Sequence, residues 1–224
     1  MRIQPLALVA CALLSCYDSH SMAKEKLVDN QVQIVADLSY LSYKTVGTDY
    51  ELERYKLDLY LPRAEQGFPV LIWLHGGGLT RGSKSGNVEQ LVGNTFAREG
   101  IAVASVKYRL SPRAKYPAYV EDVAVTWLGR NIAEHGGDPR ALFVAGHSAG
   151  GTLAALLALD DQYLVAQAST PSAARGFILI SGQLDSHSTI RAERGVSKTT
   201  HFIDESVPLF HVNGNAPPLL VIVG

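Results

Sequence analysis

Five stretches of this chain, residues 69–74, 101–106, 141–145, 176–181 and 217–223, are apolar at nearly every position. A β-strand sends successive side chains to opposite faces, so a strand apolar on both parities is covered on both faces, as in a parallel sheet. Two earlier stretches alternate instead. Residues 31–38 begin with strand alternation. Within 48–61, Tyr55, Leu57, Leu59 and Leu61 share one parity while Leu52, Arg54, Lys56 and Asp58 share the other. This second stretch predicts a half-buried strand ended by Pro62, with a polar turn over 63–67. Between the later strands the period changes. Val88, Leu91, Val92, Thr95 and Phe96 recur at helical spacing over 88–98. Val120, Val123, Ala124, Trp127, Leu128 and Ile132 form one stripe of a helix over about 116–135, which Gly136, Gly137, Asp138 and Pro139 stop. A third helix is expected over 152–159. Strands alternating with helices, with no repeats and no low-complexity linker, predict an α/β fold: a mainly parallel sheet with helices on both faces.

One strand-to-helix junction carries candidate chemistry. Gly146-His147-Ser148-Ala149-Gly150-Gly151 follows the apolar run at 141–145 and precedes the helical one at 152–159. In that context G-x-S-x-G is the sequence of a nucleophile elbow, a sharp turn that presents a serine hydroxyl at the end of a strand. Glycines at 146 and 150 let strand and helix pack closely around the serine. The helix N-terminus behind it favours a developing negative charge. A second glycine run, His75-Gly76-Gly77-Gly78, ends the 69–74 strand and opens a loop. Its backbone can approach a substrate and aim N–H groups at one oxygen, with the Ala149 N–H as partner donor; that is the composition of an oxyanion hole. Either motif alone is a glycine turn of a common kind. Together they point to one chemistry, and His75 is expected to orient the loop rather than to act as a base.

Composition and charge narrow the rest. The 224 residues suffice for one α/β domain with a sizeable core, and 47% hydrophobic against 18% charged residues is an ordinary globular balance. A net charge of −1 gives no electrostatic case for nucleic acid or an anionic membrane surface. Both cysteines, Cys11 and Cys16, lie near the N-terminus, so the body has no internal disulfide and no thiolate metal site. Residues 1–23 read as a targeting segment: Arg2 is a minimal basic start, and 3–14 is largely apolar but too short to span a bilayer. Leu13-Leu14-Ser15-Cys16 resembles a bacterial lipobox, which implies a lipid on Cys16 and membrane attachment. Ser21-Met22-Ala23 offers a small-residue cleavage site instead, and a start at Met22 would leave the protein cytoplasmic. Export is favoured, lipid-anchored ahead of plain periplasmic or secreted. Residues 24–30 read as a polar tether.

A wider set of residues carries a family resemblance. Beside the two glycine motifs stand Tyr108-Arg109-Leu110-Ser111-Pro112, Tyr116-Pro117-Ala118, Glu121-Asp122-Val123 and Gly137-Asp138-Pro139-Arg140. With these the chain resembles esterases of the α/β-hydrolase fold, in the group that includes hormone-sensitive-lipase-like enzymes, small acetyl- and feruloyl-esterases and kynurenine formamidases. The likeness runs from about Tyr55 to the last residue. It implies an α/β-hydrolase domain over 24–224, with Ser148 as nucleophile, Gly77, Gly78 and Ala149 as oxyanion hole, and a structural role for 108–122. The implied reaction is hydrolysis of a small carboxylic ester through an acyl-enzyme, with no metal or organic cofactor. His147 looks closer to the acetylesterase and formamidase side, and Leu79 stands where many relatives carry tryptophan, which implies a different acyl pocket. An arylformamidase-like amide hydrolase and a non-catalytic member of the fold are the alternatives.

A nucleophilic serine also needs a base and an acid that orients the base. In this fold the chain order is serine, then Asp or Glu, then histidine. By the resemblance, the acid follows the strand at 217–223 and the histidine comes after a further strand, both beyond Gly224. The expectation is a C-terminally incomplete domain that lacks the last strand and helix and, for want of a triad acid and histidine, is inactive. Within the chain, Asp185 follows the 176–181 strand, where a few lipases of this fold carry the acid. His187, His201 and His211 are the histidines beyond Ser148. His187 is only two residues from Asp185, and His211 lies in the segment leading into the last strand. A triad rewired from these residues is the less favoured reading, because geometry rather than inventory makes a triad.

Overall fold

The computed structural model describes residues 31–40, 47–63, 66–123, 125–166, 174–197 and 199–224. The targeting segment, with Cys16 and Met22, and the tether over 24–30 lie outside them. Seven strands form one sheet: β1 (Val32–Ser39), β2 (Lys56–Pro62), β3 (Phe68–Leu74), β4 (Ala102–Val106), β5 (Gly137–His147), β6 (Phe177–Ile180) and β7 (Leu219–Ile222). Their spatial order is β1-β2-β4-β3-β5-β6-β7. β2 pairs antiparallel with both β1 and β4, and the other neighbours are parallel. The five apolar runs are thus the strands with parallel neighbours. The helices are α1 (Asp49–Arg54), α2 (Asn87–Arg98), α3 (Ala118–Glu121), α4 (Val125–Asn131), α5 (Ala149–Leu159), α6 (Gln162–Ala166) and α7 (Ser188–Glu193), with 3-10 turns at Ile132–His135 and Pro208–His211.

Strand parity divides the core into two layers, as alternation requires. Leu71 and Trp73 of β3, Val103 of β4 and Phe143 and Ala145 of β5 face one side, where α2 lays down Val92, Phe96 and Ala97. Val70, Ile72 and Leu74 face the other with Ala104, Leu142 and Val144, against Leu128 of α4 and Leu153, Ala154 and Leu157 of α5. Helix α5 is buried from Ala149 through Ala158, which explains why its sequence is apolar all round.

Five expectations need correction. β7 is not covered on both faces: at the edge of the sheet, Leu219, Leu220 and Ile222 are half-buried and Val221 is exposed. Residues 49–54 are helix, not strand. Thr48 caps α1, accepting from the Glu51 N–H at 3.3 Å while its own N–H donates to the Glu51 carboxylate at 2.9 Å. This T-x-x-E capping box satisfies two otherwise unpaired donors and outweighs the alternation. Next, β2 is buried on both faces rather than half-buried. Asp58 lies within it at 4% exposure, neutralised by the Lys84 ammonium at 2.5 Å, which also lies 2.9 Å from Asp37. A charge is tolerated there only because it is paired.

The buried stripe of α2 is rotated from the expected one. Val88 and Leu91 are exposed, while Glu89, Val92, Gly93, Phe96 and Ala97 face inward. Gly93 sits against the Tyr60 ring, where a Cβ would stand 2.5 Å from a ring carbon. The smallest residue therefore chooses the face. Finally, the helix expected over 116–135 is broken into α3, α4 and a 3-10 turn. The carboxylate of Asp122, at the end of α3, is drawn aside to the Arg109 N–H at 2.8 Å and its guanidinium at 2.7 Å. Gly136 does end this helical region with φ of 88°, but residues 137–139 already belong to β5.

Candidate active site

Adjacent parallel strands open their carboxyl ends side by side, and β3 and β5 are such a pair, with Leu74 opposite Gly146. After β5 the chain turns into α5 through Ser148, whose φ of 53° and ψ of −119° lie outside the regions L-residues favour. Such a backbone costs on the order of 1–3 kcal/mol and persists only where its surroundings over-determine it. Here they do. The Ser148 N–H donates to the Ile180 carbonyl at 2.8 Å, and its carbonyl accepts from the Thr152 N–H at 3.1 Å. A Cβ on Gly146 would stand 2.2 Å from the Gly150 oxygen, and one on Gly150 would stand 2.1 Å from the Leu74 oxygen. The elbow is backbone packed on backbone. Ser148 itself is half-buried, and its hydroxyl has no hydrogen-bond partner among the described residues.

The loop after β3 lies against this turn: a Cβ on Gly76 would be 3.5 Å from the Ser148 Cβ. Four successive carbonyls of the loop each accept a hydrogen bond. His75 O takes the Tyr108 hydroxyl at 2.7 Å, and Gly76 O takes His75 Nδ1 at 2.7 Å. Gly77 O takes the Thr80 and Arg81 N–H groups at 3.2 Å, and Gly78 O takes the Thr189 hydroxyl at 2.5 Å. A trans peptide points its N–H opposite to its carbonyl. Holding the carbonyls therefore aims the N–H groups of Gly77 and Gly78 away from these partners. Neither donor, nor the Ala149 N–H at the start of α5, has an acceptor among the described residues. Gly77 and Gly78 adopt φ of 117° and 64°, which only glycine adopts freely. Leu79 follows at φ of 60°, fully buried.

His75 orients this loop. Because a carbonyl only accepts, Nδ1 carries the proton, and the ring stacks on Tyr108 at 4.2 Å between centroids. Burial pushes its pKa down to about 4, so the ring is neutral. Tyr108 begins the 108–122 block, and the guanidinium of buried Arg54 holds its carbonyl at 2.7 Å. That block supports the loop from beneath.

The three later histidines separate cleanly. His187 is buried, and its Nδ1 accepts the Thr189 N–H at 3.2 Å, capping α7; burial, with Arg191 nearby, brings its pKa to about 4. His211 directs Nε2 to the Glu205 carbonyl at 2.8 Å, with an Asp160 carboxylate oxygen 3.4 Å away. His201 places Nδ1 on the Asp185 carboxylate. Burial works against ionisation of Asp185, but the Ser186 N–H and His201 outweigh it and hold the pKa below the ordinary value. The structure thus pairs Asp185 with His201 and not with the other two. Sequence reading missed Thr189 altogether, since 111 residues separate it from Gly78 and no local pattern connects them. Among the described residues, no group of three His, Cys, Asp or Glu stands where it could hold a metal ion.

Comparison with known proteins agrees with this geometry. Residues 57–178, more than half of the chain, match the BD-FAE family. Carboxylesterase NlhH of Mycobacterium tuberculosis is 37% identical over 117 residues, covering 51% of this chain and 36% of its own. Esterase LipC of the same organism is 31% identical over 179 residues, covering 70% of this chain and 43% of its own. The chain thus spans less than half the length of these relatives. Among solved structures, esterase B from Lactobacillus rhamnosis superposes with a TM-score of 0.70 at 20% identity, over 96% of this chain and 71% of that one. A truncated carbohydrate esterase from gut microbiota gives 0.68 at 19% identity, over 88% and 79%. At such identity the structural likeness speaks for the fold. With the glycine loop after β3, the serine turn after β5 and the strand order all in agreement, this chain belongs to the BD-FAE family and has the α/β-hydrolase fold.

Proposed function

We propose that the chain carries the nucleophilic half of a carboxylic-ester hydrolase. Ser148 attacks the ester carbonyl, the N–H groups of Gly77, Gly78 and Ala149 receive the oxyanion, and the alcohol leaves an acyl-enzyme that water hydrolyses. One observation carries the reading: a strained, half-buried serine with an unengaged hydroxyl beside backbone donors whose carbonyls are all held elsewhere. The names of the relatives, a carboxylesterase and an esterase, support the same reaction type. The substrate class is a small acyl or aryl ester.

The test is a pre-steady-state burst of p-nitrophenol from p-nitrophenyl acetate. If the Asp185–His201 pair serves Ser148 as its base, a burst equal to the enzyme concentration is expected and Ser148→Ala abolishes it; with no base at Ser148, no burst is expected, and a burst that survives in Ser148→Ala sinks the assignment. His201 asks a separate question, because an acid on Nδ1 that leaves Nε2 available is the pairing a triad base needs. If His201→Ala loses the burst, the base is this pair. An undiminished burst assigns it elsewhere.

A further inference from the structure

Of the four held carbonyls in the loop after β3, three are held from within the neighbouring elements and one from far away in sequence. His75 O and Gly76 O are served by Tyr108 and by His75 itself, and Gly77 O by the loop's own turn. Among the described residues, Gly78 O is served only by Thr189, on a short helix that belongs to the segment after β6. We infer that Thr189 is a positioning residue that clamps the oxyanion loop, an inference that rests on the function proposed above.

The physical case begins with Gly78. Its φ of 64° is accessible to glycine without strain, but so are many other angles, so its two flanking peptide planes have no intrinsic preference for the observed pose. The plane before it is fixed by the turn bonds from Thr80 and Arg81. The plane after it is fixed by the Thr189 hydroxyl at 2.5 Å. The Gly78 N–H lies in the first plane, and the turn bonds that fix that plane close over Gly78 and Leu79, so they hold only while the second plane keeps its pose. Without Thr189 the second plane is free to rotate, Leu79 loses its support at φ of 60°, and the turn that aims the Gly78 N–H loosens.

Thr189 can clamp because it is itself held. Its N–H donates to Nδ1 of buried His187 at 3.2 Å. Two residues on, Arg191 donates to Ser186 Oγ at 3.1 Å, and the Ser186 hydroxyl also accepts from the Phe202 N–H at 3.3 Å. The Glu193 carboxylate accepts from the Tyr116 N–H at 3.1 Å and the Tyr119 hydroxyl at 3.4 Å, which ties α7 to the start of α3. The clamp therefore joins the loop to a rigid support rather than to a swinging side chain.

Thr189→Val keeps the shape and removes the hydroxyl; Thr189→Ser keeps the hydroxyl. Two readouts are taken on the full chain. The first is hydrogen exchange of the peptide covering residues 75–86, and the second is the rate at which paraoxon phosphorylates Ser148, followed by intact mass. The expected result is faster exchange in Thr189→Val and about a tenfold slower phosphorylation, as misplaced donors cost rate, with Thr189→Ser close to wild type in both. Wild-type exchange and rate in Thr189→Val overturn the clamp. If wild type is not phosphorylated and behaves like Ser148→Ala, the proposed function fails. The exchange comparison then decides the clamp alone: faster exchange in Thr189→Val supports it, and unchanged exchange overturns it.

Discussion

The elbow at Ser148 and the segment after β6 stand side by side but are held together by different means. At the elbow, backbone meets backbone: Gly146 touches Gly150, and Gly150 touches the end of β3. After β6 the fastenings are side chains, such as His187 on Thr189, Thr189 on Gly78, His201 on Asp185 and Arg194 on Asp204 and Glu205. Close backbone packing has no slack, since a single methyl group has nowhere to go. Side-chain pairs can lose a member and let solvent take its place. The part of the molecule that positions the serine is therefore intolerant of change, whereas the exposed fastenings beside it, unlike the buried ones around Ser186 and His187 that hold α7, are adjustable.

The comparison is broken most readily at Gly150. Gly150→Ala puts a methyl group 2.1 Å from the Leu74 oxygen and 2.7 Å from the His75 oxygen. It is expected to cost about 3 kcal/mol or more, at the upper end for overpacking. Gly129→Ala is the control, because at this exposed position of α4 a Cβ meets nothing within 4 Å, and alanine in a helix is favoured over glycine by about 1 kcal/mol. Urea denaturation should move the two midpoints in opposite directions. Equal midpoints would contradict the picture of a slackless elbow.

A smaller effect comes from pH. His75 and His187 have folded pKa values of about 4, below the ordinary 6.5, so the unfolded chain binds more protons between these limits. Their contribution is present above pH 6.5 and is lost as pH falls toward 4. From pH 7 to 5 each should cost about 2 kcal/mol. A urea series across that range checks this, and His187→Gln should remove roughly half of the histidine share. The least effect is expected at His201, which is 61% exposed and pairs with a partly exposed Asp185. His201→Ala should change stability by less than about 1 kcal/mol. A larger loss would show that the segment after β6 is as tightly built as the elbow.

The same contrast explains what could be read in advance. The buried strands β3 to β6 were legible because a run such as Val70 to Leu74 is apolar on both parities, whatever packs on it, whereas the equally apolar β7 is left partly exposed at the sheet's edge. The sharp turn at Ser148 and the glycine loop after β3 were legible because close approach and positive φ demand glycine, and glycines show in a sequence. The α1 capping box was legible too, in Thr48 and Glu51, but the alternation that continues into β2 obscured it. Asp58 was misplaced because its partner Lys84 comes 26 residues later, in a different loop. The break at Asp122 was hidden for the same reason: Arg109, 13 residues before it, competes for the carboxylate.

By itself, then, the sequence determined the strands β3 to β6, their burial and the two glycine turns, since these depend on each residue's own size, polarity and backbone freedom. Only the tertiary structure decided which face of α2 turns inward, which histidine meets Asp185, and that Thr189 reaches the Gly78 carbonyl. Those outcomes depend on pairs of residues far apart in the chain, and a hydrogen bond or ion pair leaves no mark at either end until folding brings its partners within about 3 Å.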